Sequence, residues 1–256
     1  MTAGLASLLF LTTTQGYGVW RSPAVAQGFL DSLRPLLAPA IAHPLPQPLQ
    51  DWHDPSESGD YFSQVTPTEA GYLVWSRFPV RVYLALPDGV SVANPPSTDW
   101  QAAVDQVVAE WSQYLPLELT TEPDRADITI HLSPPPLRLA TIYPASADRP
   151  GLPLERARSA ETRYELFVDT TVPEQPILAH RCTIWLSPRQ TVRYIQAAAR
   201  HEMGHALGIW GHSPFETDAL YAAQVSSPAS ISVRDVNTLK RIYEHPTQIG
   251  WPLRER

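Results

Sequence analysis

The sequence predicts an α+β fold, and three observations carry that prediction. Five short runs are rich in β-branched and aromatic residues and lie between turn-forming residues, as strands do. Three longer stretches repeat apolar residues at helical spacing. A hydrophobic content of 43% against a charged content of 18% suits a packed core. The 256 residues fit one large domain with extensions, or two small ones. The single cysteine excludes an intramolecular disulfide framework and any all-cysteine metal cage.

Taken in chain order, the first feature is a short apolar run, Ala3 to Leu11, too brief to span a bilayer as a helix. Threonines follow, then Ala24-Val25-Ala26, a small-x-small sequence of the kind cut when a secretory signal is removed. No Lys or Arg precedes the apolar run, which departs from the usual signal pattern. Residues 1–26 are read as a signal peptide and the protein as exported. Five prolines between Pro35 and Pro48 favour extended polyproline conformation and cannot sustain a helix. Residues 27–70 are therefore read as a linker or pro-segment.

Regular patterning begins near Gly71. Pro79 to Leu86 alternates and reads as a strand. Ser97-Thr98-Asp99 supplies N-cap chemistry for a helix to about Tyr114, with Trp100, Val104, Val107, Val108 and Trp111 on one face. Leu117 to Thr121 and Ala126 to Leu132 read as strands, and Pro134 to Arg163 as a long irregular segment. Tyr164 to Val168 and Cys182 to Leu186 are two more strands. A helix follows from near Pro188 to about Leu207, and a last one spans Val233 to Tyr243. Ser232 and Asp235 resemble a capping box at its start, although glutamate or glutamine is usual at the third position. Residues 71–247 thus form the expected main domain and 248–256 a short tail. No later run approaches 18 consecutive apolar residues, so no integral membrane segment is expected.

The net charge is −7, from 19 basic and 26 acidic residues, and Lys240 is the one lysine. Phosphate contacts need clustered positive charge, so nucleic acid is not an expected partner. The loose arginine group Arg149, Arg156, Arg158 and Arg163 reads as a solvated loop.

The chemistry sits in the penultimate helix, at His201-Glu202-Met203-Gly204-His205. Residues four apart share a helix face, so both imidazoles can ligate one ion without distorting the backbone. Glu202 is rotated about 100° from His201 and stands beside the pair, where a general base for a metal-bound water belongs. A chance match in a chain of this composition has a probability of about 1%. The bland reading is two helix histidines without a ligand. Gly208 lies three residues past His205, where a glycine commonly ends a helix, and the turn can bring His212 back toward the ion.

The run HEMGHALGIWGHS resembles the metzincin clan of zinc peptidases, and its HALG wording is most similar to the matrixin family. That resemblance implies a twisted five-stranded mixed sheet with an active-site helix and a C-terminal helix. It makes His201, His205 and His212 the ligands of one catalytic Zn²⁺ and Glu202 the catalytic acid/base. The activity implied is hydrolysis of peptide bonds within a polypeptide substrate. An extended substrate would add itself as a strand at a sheet edge near Tyr164 to Val168. Two features depart from the family pattern. Its usual third histidine falls at Gly211, one residue before His212, and a carboxylate such as Asp218 or Glu244 is the alternative ligand. The methionine expected beneath the metal is replaced by Leu220, since the only methionines are Met1 and Met203.

Leu220 and Tyr221 are the candidate substrate-binding residues, Tyr221 as a pocket wall or oxyanion donor, with ordinary core packing as the alternative. His131 reads as a packed strand residue, and His43, His53, His180 and His245 have no partner spacing. Structural Ca²⁺ or a second Zn²⁺ finds no support in any loop. Animal matrixins cap their zinc with a pro-segment cysteine, but Cys182 has no upstream counterpart. If residues 27–66 inhibit, another group must reach the metal, and Asp51, His53 and Asp54 are the candidates. Two rival functions remain beside the endopeptidase: a non-catalytic zinc-stabilised binding module, and a zinc aminopeptidase with a carboxylate ligand.

Overall fold

The structure is a computed structural model that describes residues 23–85, 98–136, 159–172 and 174–254. It is α+β, with one five-stranded mixed sheet: β1 (Val80–Ala85), β2 (Leu117–Thr120), β3 (Ile128–His131), β4 (Ala160–Asp169) and β5 (Ile177–Leu186). The spatial order is β2-β1-β3-β5-β4. The first four are parallel to their neighbours, and β4 runs antiparallel to β5 at one edge. The helices are α1 (Pro23–Leu33), α2 (Gln47–Asp51), α3 (Thr98–Trp111), α4 (Val192–Ala206) and α5 (Val233–Tyr243). Residues 1–22 of the expected leader 1–26, and most of the irregular segment after Pro134, lie outside the described residues, while residues 23–26 open α1.

Alternation builds the sheet's inner face. Val80, Val82, Ile128, Ile130, Cys182, Ile184 and Leu186 are buried there against α3 and α4. The predicted face of α3 is the buried one: Trp100, Val104, Val107, Val108 and Trp111 are all at most 4% exposed. Trp111 also donates its indole N–H to the Arg200 carbonyl at 3.0 Å, joining α3 to α4. Cys182 is buried, and burial pushes its thiol well up, as a small core hydrophobe requires.

Both strands before α4 are longer than predicted. β4 begins at Ala160, inside the segment expected to be irregular, and β5 begins at Ile177. Polar residues Glu161, Thr162, Arg163, His180 and Arg181 interrupt the apolar runs, but antiparallel pairing of the two strands carries the ladder through them. His180 consequently sits inside the protein, its ring tilted by 34° against Trp75 with centroids 3.9 Å apart. α4 starts at Val192 rather than near Pro188, because residues 187–190 turn back and Gln190 bonds the carbonyls of Ser159 and Ser187.

The proline-rich segment packs on the body of the protein. Leu49, Tyr61 and Val65 join the main core, while Leu30, Leu37, Ala70 and Leu73 form a second cluster with Leu166, Leu178 and Ile249. The tail is held as well: Gly250 N–H bonds the Leu178 carbonyl and Leu253 N–H the Pro176 carbonyl. No helix among the described residues is long and apolar enough to cross a membrane.

The buried His180 sets a pH dependence. Burial lowers its pKa to about 3, below the unfolded value of 6.5. The unfolded chain thus gains this proton first as pH falls, and stability present above 6.5 is lost progressively down to about 3. The residue's share is at most about 1.4 kcal/mol per pH unit. Urea unfolding of the metal-free chain at pH 7, 5 and 4 should show a shallower acid slope for His180→Leu than for the wild type.

Candidate metal centre

α4 delivers two of the three histidines for a local reason. His201 and His205 stand one turn apart on the face away from Ala199, Met203 and Ala206, which are buried against the sheet. The helix ends at Ala206, and Gly208 takes a positive φ of 125°, which a side chain would disfavour. A Cβ there would also lie 2.5 Å from the Leu73 carbonyl. The reversed chain brings His212 beside the helical pair, and ligand atoms of His201, His205 and His212 lie within 4.8 Å of one another.

Backbone carbonyls fix the ring tautomers. His201 Nδ1 lies 2.9 Å from the Ala219 oxygen, and His205 Nδ1 lies 2.6 Å from the Ile209 oxygen. A carbonyl can only accept, so each ring carries its proton on Nδ1. Both Nε2 atoms are then bare lone pairs, and they face each other at 3.1 Å. Two lone pairs at that distance repel unless an electrophile lies between them. Two nitrogens on a tetrahedral ion with bonds of roughly 2.05 Å would be about 3.3 Å apart, so the donors fit a metal. Burial, reinforced by His205, pushes His201 down to about 4, and burial brings His205 to about 4 as well. Both rings are therefore neutral near pH 7, as ligation requires. Burial lowers His212 too, although it is the most exposed of the three.

Glu202 is 8% exposed and lines a cavity of about 370 Å³ together with His201. Burial raises its carboxyl above the usual range and outweighs the opposing pull of His201 and Thr162. The Thr162 hydroxyl on edge strand β4 donates to Glu202 Oε2 at 2.6 Å. Sequence reading misses Thr162, because it lies in the stretch taken as irregular. The alternation of Ala160-Glu161-Thr162-Arg163 into Tyr164 is the signal that could have placed it in a strand.

The turn after His212 underlies the site. Asp218 is not a ligand: its carboxylate accepts from the Ser213 hydroxyl at 2.5 Å and from Arg234 at 2.5 and 2.9 Å. Burial would raise its pKa, but the bonds from Arg234 and Ser213 win and hold it below the usual range. Glu244 caps the end of α5, outside the cluster. Leu220, the other candidate substrate-binding residue, is fully buried and packs under Gly204 of α4. Tyr221 is half-buried and lines the cavity, a wall rather than a core residue. The far wall is tied to α4 by Arg200, which grips Glu110 at 2.6 and 3.0 Å and donates to the Ala229 carbonyl at 3.0 Å.

Asp51, His53 and Asp54 do not approach the triad. Asp54 accepts from the N–H groups of Ser56 and Ser58 and from Asn237, and His53 faces the Asp51 carbonyl. His131 is half-buried and stacks on Trp185, and His43 stacks on Trp251. Among the described residues, no second cluster of this kind occurs.

Gly204 gives a test of the packing. An alanine in a helix interior usually stabilises by about 1 kcal/mol over glycine. Here its Cβ would lie 2.6 Å from Leu220 Cδ2, so Gly204→Ala should destabilise, by roughly 1–3 kcal/mol. Leu220→Met should stay within about 1.5 kcal/mol. Thermal unfolding of the metal-free chain reads both. Comparison with known protein families and with curated proteins gives no match, so the site's own geometry carries its reading.

Proposed function

We propose that this chain is a zinc-dependent endopeptidase of matrixin-like type. The observation that carries the reading is the pair of bare imidazole nitrogens 3.1 Å apart, joined by His212 and flanked by a buried carboxylate at a cavity. A zinc ion held by His201, His205 and His212 would supply a Lewis acid for the scissile carbonyl and acidify a water.

The chain's own groups do the rest. Glu202, raised by burial, is a stronger base than a solvated glutamate, so it takes the water's proton. It then passes that proton to the nitrogen of the leaving amine, and the carboxylate is restored. Thr162 holds Oε2 and leaves the other carboxylate oxygen for the proton transfer. The outer side of β4 is a sheet edge, and its backbone groups can receive an extended peptide as an added strand. The cavity beside Glu202, walled by Ala197, Ala198, Tyr221 and Ala229, can take one substrate side chain.

Zinc stoichiometry together with cleavage of a mixed peptide library tests the proposal. One zinc per chain is expected. Glu202→Ala should retain it and lose about 10²- to 10⁴-fold in cleavage rate. Thr162→Val should lower kcat by roughly 10- to 100-fold with little change in KM. Zinc bound without Glu202-dependent cleavage would support the non-catalytic module instead. Release of N-terminal residues alone would point to an aminopeptidase.

A further inference from the structure

The segment just before Gly71 closes on the metal-binding turn from outside. Thr66 N–H bonds the Trp210 carbonyl at 2.9 Å, two residues before His212. Gly211 is pressed against the backbone of Gln64 and Val65, so that a Cβ at 211 would lie 2.2 Å from the Gln64 carbonyl oxygen and 2.9 Å from Val65 Cα. The φ of Gly211 is not in the left-handed region, so contact alone demands glycine there. Residues 62–64 form a single 3-10 turn, closed by Gln64 N–H to Tyr61 and Val65 N–H to Phe62.

That turn is itself anchored. Tyr61 donates its phenol to Asp235 at 2.5 Å and its N–H to Thr238 at 3.0 Å, and Asp60 pairs with Arg241 at 2.9 Å. Asp235 also receives Leu220 N–H, while the Leu220 carbonyl receives Ser213 N–H. The chain on either side of His212 is thus held by one support: Trp210 through Thr66, and Ser213 through Leu220, Asp235 and Tyr61.

We propose that residues 61–66 are a positioning brace for His212, and that the segment completes the metal centre rather than inhibiting it. This rests on the metal reading above. An inhibitory segment would lie across the cavity, yet 61–66 touch the back of the turn and none of them lines it. Cutting or removing this stretch therefore disarms the site, and loss of residues 27–66 gives no activation.

Cobalt(II) titration of the full chain, with chelator competition for Kd and visible absorption for coordination, tests the brace. Gly211→Ala drives a methyl into Gln64. Thr66→Pro removes one N–H donor, and Val65 already has the extended conformation that precedes proline, with φ −88° and ψ 127°. Each variant is made with His212 present and with His212→Ala, and circular dichroism checks that the metal-free chain is folded. With His212 present, each should weaken cobalt binding by about tenfold or more and change the absorption band. In the His212→Ala background, the change should be less than about twofold if the brace acts through that ligand. Wild-type affinity in both variants, or equal losses in both backgrounds, overturns the brace and leaves the metal centre standing. If the wild-type chain binds neither cobalt nor zinc, the metal reading fails and the brace with it.

Discussion

Three segments far apart in the chain meet at the carboxylate of Asp235, which has no solvent exposure. It accepts from Tyr61 at 2.5 Å, from Ser232 N–H at 2.7 Å, from Ala219 N–H at 2.9 Å and from Leu220 N–H at 3.4 Å. Burial raises its pKa despite these bonds, so the ionised form is costly unless the donors arrive together. The start of α5, the turn under the metal helix and the brace are therefore mutually conditional. The Ala219 carbonyl orients His201, so a helix cap at residue 232 is mechanically linked to a histidine of the triad 31 positions earlier. A cap that merely started a helix would need only Ser232 and the aspartate. The further donors tie this one to the turn whose Ala219 carbonyl faces His201.

Burial does opposite things to the two kinds of group in the centre. It strips the proton from His201 and His205 and favours one on Glu202. A neutral imidazole can ligate a metal and a raised carboxylate is the stronger base, so one low-dielectric environment suits both proposed roles. The directional parts come from single contacts: two carbonyls choose the tautomers, and one threonine hydroxyl orients the glutamate. The site is built from backbone geometry and desolvation, and among the described residues no charged partner hydrogen-bonds the rings of His201 or His205.

What the sequence made legible was what short range determines. The buried stripe of α3, the histidine pair of α4 and the capping box of α5 each depend on residues three or four apart, and all lie where the pattern placed them. The starts of β4 and β5 were not legible, because Thr162 and His180 are polar and their place is set by strands across the sheet. The segment 27–70 reads as proline-rich and extended. That describes its local backbone and says nothing of the surfaces that bury Leu49, Tyr61 and Val65. The same limit applies to Asp218, whose sequence position suits a ligand but whose carboxylate is taken by Arg234 and Ser213.

If the proposed matrixin-like reading holds, the one-residue offset of His212 has a steric explanation in this chain. The matrixin spacing would place that ligand at Gly211, where the Gln64 carbonyl stands 2.2 Å from any Cβ. No side chain fits there while the brace is seated, so a histidine at 211 would have to displace residues 64 and 65. A histidine one residue on, at 212, leaves position 211 for the close backbone approach and still brings an imidazole to the pair on α4. The one-residue offset and the packed proline-rich segment are thus one feature. A chain that seats residues 64 and 65 behind this turn needs a glycine at the contact, so the imidazole that approaches the helical pair must come from the neighbouring position.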